Sequence, residues 1–241
     1  MTLFQTCQAL LFDLDGTLVD SAPDLWRATN HVLCLRGHAA LPLEQVRDYV
    51  GNGARFLLAR GFWGLEATPP VNDPDFEAAV KDFLDYYREH IIDHSHPYPG
   101  VVDTLETLQR QGFALALVTN KPEYLTHLML EKLNLRRFFP VVVGGDTLPE
   151  RKPHPLPMVH AMRQLGTPAA ATIMIGDSET DSLAARNAGC GLIMVSHGYN
   201  RGLPLEDLKP DGIIHHFNQL IGLLPSPRST MATINEFNTA T

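Results

Sequence analysis

Asp13 and Asp15 stand two residues apart, directly after the apolar run ALLF and before Gly16. If that run is a strand, residues two apart leave the same face, so the two carboxylates are neighbours. Such a pair does not ionise easily without a cation, because like charges raise one partner's pKa and a bound metal reverses the effect. The pair suits divided roles: one carboxylate ligates metal and attacks as a nucleophile, while the other gives a proton to a leaving oxygen and later takes one from water. Thr119 and Asn120 follow the run ALALV, and Asp177 and Asp181 follow TIMI. Asp177 adds a hard oxygen ligand, and oxygen-only coordination that retains water favours Mg2+ over zinc. A carboxylate attacking a phosphate dianion needs further positive charge and donors around the phosphoryl oxygens. Lys152, in RKPHP, is the candidate point charge, and Thr119 with the loop amides after Asp13 are the candidate donors. Gly16 lets the backbone turn closely around an anion.

These residues share a site only if one scaffold brings them together. Short apolar runs ending in small or acidic residues recur at QALLFDLDG, FALALVTN, PVVVGGD, ATIMIGD and GLIMVS, with amphipathic stretches of helical length between the later ones. Continuous Val/Ile/Leu/Ala runs are what strands buried on both faces require, and crossover helices are what parallel strands need between them. The expected fold class is α/β, a doubly wound, Rossmann-like parallel sheet, in which ligands bind outside the carboxyl ends of the strands. The rhythm breaks between Ser21 and about Tyr98, where no strand is expected and three helices are: Asp24 to Arg36, Leu43 to Gly61 and Asp75 to Ile92. PPVNDPD reads as a connector and HSHPYPG as a solvated exit linker, because proline excludes regular helix there. The resulting plan is a first strand and catalytic loop in 1–20, an inserted helical domain in 21–97, the rest of the core in 98–224, and a mobile polar tail in 225–241.

Composition excludes several function classes. The formal net charge of −8, with no block of lysines or arginines, repels nucleic acid. The longest apolar runs fall far short of the ~18–20 residues that span a bilayer, so no membrane association is expected. Three scattered cysteines, Cys7, Cys34 and Cys190, make neither a disulfide framework nor a CxxC zinc site and fit a reducing cytoplasm. His94 and His96 have no acidic or cysteine partner nearby, and GNGAR lacks both the third glycine and the preceding strand of a dinucleotide fingerprint. No GxxxxGK[ST] loop is present for nucleotide-dependent kinase chemistry.

DLDGT at Asp13 to Thr17, TN at Thr119 and Asn120, KP at Lys152 and Pro153, and GDSETD at Gly176 to Asp181 together resemble the four motifs of the haloacid dehalogenase superfamily, in order and in spacing. The likeness runs from about Leu10 to Asn218. Through FDLDGTLVDSAPDL, VGNGARFLLAR, VTNKP, VVVGGD, RKPHP and HGYNRG it is nearest to the superfamily's phosphoglycolate phosphatase branch. The resemblance implies that Asp13 is the nucleophile, Asp15 the acid/base, Thr119 and Lys152 the phosphate binders and Asp177 a Mg2+ ligand. It also implies that Asp15 meets metal through its backbone carbonyl, that Asp181 supports the site, and that the helical insertion is a small cap closing over the crevice with its Gly51 to Gly53 turn pointing inward. Asn52 and Gly53 are then candidate substrate contacts, the alternative for Asn52 being a plain turn former.

The expected reaction is Mg2+-dependent hydrolysis of a small phosphate ester, 2-phosphoglycolate first, by a monomer or homodimer. Hydrolysis of another small ester and a phosphosugar mutase are the alternatives. A metal-free dehalogenase fits less well, because that chemistry needs no proton for an alkoxide. A binding module without turnover fits less well still, because no catalytic side chain is missing.

Overall fold

The computed structural model describes residues 5–225. The polar tail from 226 onward lies outside them. Its core is a six-stranded parallel sheet whose strands are β1 (Ala9–Phe12), β4 (Ala114–Val118), β5 (Val141–Val143), β6 (Thr172–Gly176), β7 (Gly191–Val195) and β8 (Gly212–Ile214) in the spatial order β5-β4-β1-β6-β7-β8. Successive side chains divide between two apolar clusters: Leu10, Phe12, Leu115, Leu117, Ile173 and Ile175 face one side, while Leu11, Ala116, Val118 and Met174 face the other. Both faces are thus covered, which is why the runs show no polar alternation. The first face is packed by α5 (Val101–Arg110), α6 (Glu123–Lys132) and α9 (Gln219–Leu223), the second by α7 (Leu156–Leu165) and α8 (Glu179–Ala188). The doubly wound α/β reading holds.

The segment between β1 and α5 is largely helical, with α1 (Ala22–Leu35), α2 (Leu43–Arg47), α3 (Ala54–Trp63) and α4 (Pro74–Glu89). Four features differ from expectation. The helix expected from Leu43 to Gly61 breaks into α2 and α3, because Gly51 and Gly53 take φ of +117° and +85°. Arg60 braces the turn by donating to the Tyr49 carbonyl and the Asn52 side chain. Pro74, read as connector, is the first residue of α4 behind the Asp73 cap, where its missing N–H costs nothing. The exit linker is exposed at His94 and His96, as expected, but it is not strandless: β3 (His96–Pro97) pairs antiparallel with β2 (Val19–Asp20), Ser95 is buried, and the His94 and Ser95 amides donate to the buried Asp24 carboxylate. Finally, β8 was not expected, since GII is too short to stand out from its polar surroundings.

Register decides where the chemistry sits. Phe12 lies opposite Leu117 on one side and Ile175 on the other, and the Asp13 amide donates to the Ile175 carbonyl. Asp13 is therefore level with the last residues of β4 and β6, directly beside Thr119 and Asp177.

Candidate active site

Asp13, Asp177 and Asp181, all buried, converge so that one carboxylate oxygen from each lies within 4.8 Å of the others. Lys152 enters the same cluster, its Nζ 2.9 Å from Asp13 Oδ1 and 2.7 Å from Asp181 Oδ1. Asp181 is saturated: its Oδ1 accepts from Lys152, and its Oδ2 accepts from the amides of Asp177 and Ser178 and from the Ser178 hydroxyl. Ser178 and Asp181 form the capping box of α8, so the motif that starts this helix also aims Lys152. Asp177 Oδ1 accepts from Thr17 Oγ1 at 2.6 Å and Oδ2 from the Tyr199 amide at 2.7 Å. A Cβ on Gly16 would lie 2.4 Å from Asp177 Oδ2, and one on Gly198 would lie 2.1 Å from Asp177 Cβ. Only glycine fits at these two points of close approach.

The electrostatics of the cluster call for a cation. Burial, partly offset by Lys152 and reinforced by Asp181 and Asp15, raises Asp13 from its ordinary 3.8 to about 6. Burial, then Asp181 and Asp13, push Asp177 well above its ordinary value. Burial alone would lower Lys152, but Asp13 and Asp181 outweigh it, and its ammonium titrates above its ordinary value. One ammonium is thus set against three buried carboxylates. Asp13 Oδ1 is buried against the Lys152 ammonium at 2.9 Å. An all-oxygen donor set with this excess of negative charge fits Mg2+, with Asp13 and Asp177 as the side chains to hold it, since each Asp177 oxygen takes a single donor whereas Asp181 pairs with Lys152 and takes three more donors on Oδ2.

Asp15 lines the same cavity as Asp13 but bonds to a different set of partners. Its Oδ1 accepts from Ser21 Oγ at 2.5 Å and from Lys121 Nζ at 2.9 Å, and its Oδ2 accepts from the same ammonium at 3.0 Å. Lys121 also donates to the Tyr87 hydroxyl on α4. A cavity is lined by Asp13, Asp15, Thr119 and Lys121 on the sheet side and by Val50 and Phe83, among others, from the helical segment. Thr119 is buried with its hydroxyl accepting from the Lys121 amide, and Asn120 and Gly53 also line this cavity. The Asn120 amide, however, donates to the carbonyls of Gly51 and Lys152, so it ties the glycine turn to the lysine loop. Asn52 lies outside this lining, its side chain between Arg60 and Thr180 in the adjoining groove.

Sequence reasoning passed over Lys121, Tyr87, Ser21, Thr17 and Tyr199. Lys121 carried a usable signal, since it follows Thr119 and Asn120 at the carboxyl end of β4, the edge on which the site was expected to gather. Tyr199 stood in HGYNRG, but nothing in that stretch foretold its contacts: its hydroxyl accepts from the amides of Ser21 and Ala22 and donates to Asp20, across 177 or more residues.

Residues 10–195 match the family model of the haloacid dehalogenase-like hydrolases. A phosphoglycolate phosphatase of Pseudomonas fluorescens (strain Pf0-1) is 40% identical over 218 residues, which cover 90% of this chain and 79% of that protein. One from Vibrio parahaemolyticus is 39% identical over 218 residues, covering 90% of this chain and 96% of that one. The crystal structure of a predicted phosphoglycolate phosphatase from Haemophilus somnus 129pt superposes with a TM-score of 0.84 at 34% identity, covering 90% of this chain and 98% of the other. With its four motifs gathered at the carboxyl edge of a doubly wound sheet, the chain belongs to the haloacid dehalogenase-like hydrolase family.

Proposed function

We propose that this protein is a cytoplasmic, Mg2+-dependent phosphatase that hydrolyses 2-phosphoglycolate to glycolate and phosphate through a phosphoryl group carried transiently on Asp13. The observation that carries the reading is Asp13 held against Lys152 within a cluster of three buried carboxylates. Mg2+, when bound, offsets the excess negative charge of the carboxylates and of the incoming dianion. Asp13 attacks phosphorus, forming the new P–O bond as the bond to the glycolate oxygen breaks. Asp15 gives that oxygen its proton, then takes one from the water that attacks phospho-Asp13, restoring both side chains and releasing phosphate. Lys152 and the Thr119 hydroxyl stabilise charge on the phosphoryl oxygens. The helical segment walls off the cavity, excluding water while the ester is cleaved.

Phosphate release from a panel of small phosphomonoesters, with Mg2+ and then with excess chelator, tests this directly. Mg2+-dependent preference for 2-phosphoglycolate is the expected result. Mg2+-dependent turnover that ignores 2-phosphoglycolate overturns the substrate, isomerised phosphosugar in place of phosphate points to a mutase, and turnover indifferent to chelator overturns the metal.

A further inference from the structure

The cavity beside Asp13 has an uneven lining. Leu25, Val50, Leu57, Phe83 and Leu125 make much of its wall apolar, and Lys121 is the cation among its lining residues. Lys152 belongs to the carboxylate cluster on the other side of Asp13. An ester that presents its phosphoryl group to Asp13 must put its remaining atoms in this same cavity. A second negative charge on those atoms would be desolvated against leucine and phenylalanine, and the cation within reach would be Lys121.

Lys121 is engaged in a way that bears on turnover. Its ammonium occupies both oxygens of Asp15, and Ser21 adds a third bond to Oδ1. Oδ1 is filled by Ser21 and Lys121 and Oδ2 keeps one lone pair beside the ammonium, so a proton that Asp15 carries toward a leaving oxygen competes with Lys121 for the carboxylate. An ammonium has three N–H groups, and an arriving carboxylate offers it the same partner that Asp15 does.

We infer that Lys121 recognises a carboxylate on the leaving part of the substrate, and that its exchange from Asp15 to that carboxylate releases Asp15 to act as the acid. This deepens the proposed phosphatase reading and rests on it. A neutral leaving group gives Lys121 nothing to exchange for, so Asp15 stays engaged and the penalty falls on kcat as well as KM. Tyr87, which accepts from the ammonium and carries its ring 4.7 Å from Nζ, holds the lysine at the cavity wall during the exchange.

The test compares 2-phosphoglycolate with 2-hydroxyethyl phosphate, a neutral-tailed ester of similar length, on wild type, Lys121→Met and Lys121→Arg, with circular dichroism to confirm folding. Lys121→Met is expected to lower kcat/KM for the acidic ester by about 10²-fold and to collapse the acid-over-neutral preference toward one. Lys121→Arg, which keeps the charge and guards against misfolding of the first variant, should keep the preference with a higher KM for the acidic ester alone. Equal losses on both esters would show that Lys121 serves only Asp15 and would overturn the inference, as would an undiminished preference in Lys121→Met. If wild type prefers a different acidic ester, the named substrate falls while the Lys121 inference is read on that ester and its neutral analogue. If no ester is cleaved, calorimetry with glycolate decides: binding lost in Lys121→Met supports the inference, and no binding to wild type overturns it.

Discussion

Two buried lysines flank the proposed nucleophile, and they are held in opposite ways. Lys152 pairs with Asp13 and with an Asp181 that is itself locked by two amides and a hydroxyl of the α8 cap. Lys121 pairs with Asp15, which is less deeply buried and is otherwise held by a single hydroxyl, that of Ser21. The first ammonium is a fixed charge, suited to the phosphoryl group that every substrate shares. The second is exchangeable and borders the part of the cavity where substrates differ. Rigid charge belongs to the chemistry and movable charge to selection.

The sharpest way to break this contrast is Lys152→Met. It should lower kcat/KM by about 10²–10³-fold, and equally for acidic and neutral esters, because the lost charge acts on the phosphoryl oxygens alone. Leaving Asp13 and Asp181 without their buried partner should also destabilise the fold by about 3–5 kcal/mol, read from urea unfolding in chelator. A selective loss on acidic esters would erase the distinction between the two lysines.

A second, smaller effect concerns pH. Burial raises Asp13 from 3.8 to about 6 and raises Asp177 as well, so folding without metal favours their protonated forms. The contribution of Asp13 is fully present below about pH 4 and is lost as pH rises through about 6, and that of Asp177 is likewise lost as pH rises. In chelator, Asp13→Asn should therefore gain thermal stability relative to wild type across that window, while Mg2+ should stabilise wild type above about pH 6 and have little effect near pH 4. A wild-type advantage that grows with pH in chelator would contradict the charge count of the cluster.

The smallest expected effect tests what joins the two ends of the site. The Tyr199 amide holds Asp177, and its hydroxyl holds the amides of Ser21 and Ala22 at the start of α1, next to the Ser21 hydroxyl on Asp15. Tyr199→Phe keeps the amide and removes the hydroxyl, so it should cost about 1–2 kcal/mol in unfolding experiments and leave Mg2+ affinity nearly unchanged. A large loss of Mg2+ affinity would mean that the two ends are not separable.

The carboxylate end was legible in the sequence because its parts are local. Asp13 closes a strand-length apolar run, and Asp177 to Asp181 span one capping box, so strand-end position and short spacing were enough to find them. The Lys121 end was legible only in part: Asp15 was read from its strand end and Lys121 stood at the end of β4, but their meeting with Tyr87 joins three separate segments that no local pattern links. The break between α2 and α3 went unread for a related reason. Apolar periodicity runs across Gly51 and Gly53, and only the bracing of Tyr49 and Asn52 by Arg60 shows that the chain turns there. Strands β2 and β3 are two residues each, too short for any pattern, and their pairing is supported by Asp24 accepting from the backbone of His94 and Ser95.

The most direct test is rapid acid quench of the enzyme turning over 2-phosphoglycolate with Mg2+, followed by peptide mass spectrometry. Phosphoryl mass on the peptide containing Asp13, absent with chelator and absent in Asp13→Asn, is the predicted result. Steady turnover with no phosphorylated peptide, or with the label on a different residue, would contradict the assignment of Asp13 as nucleophile.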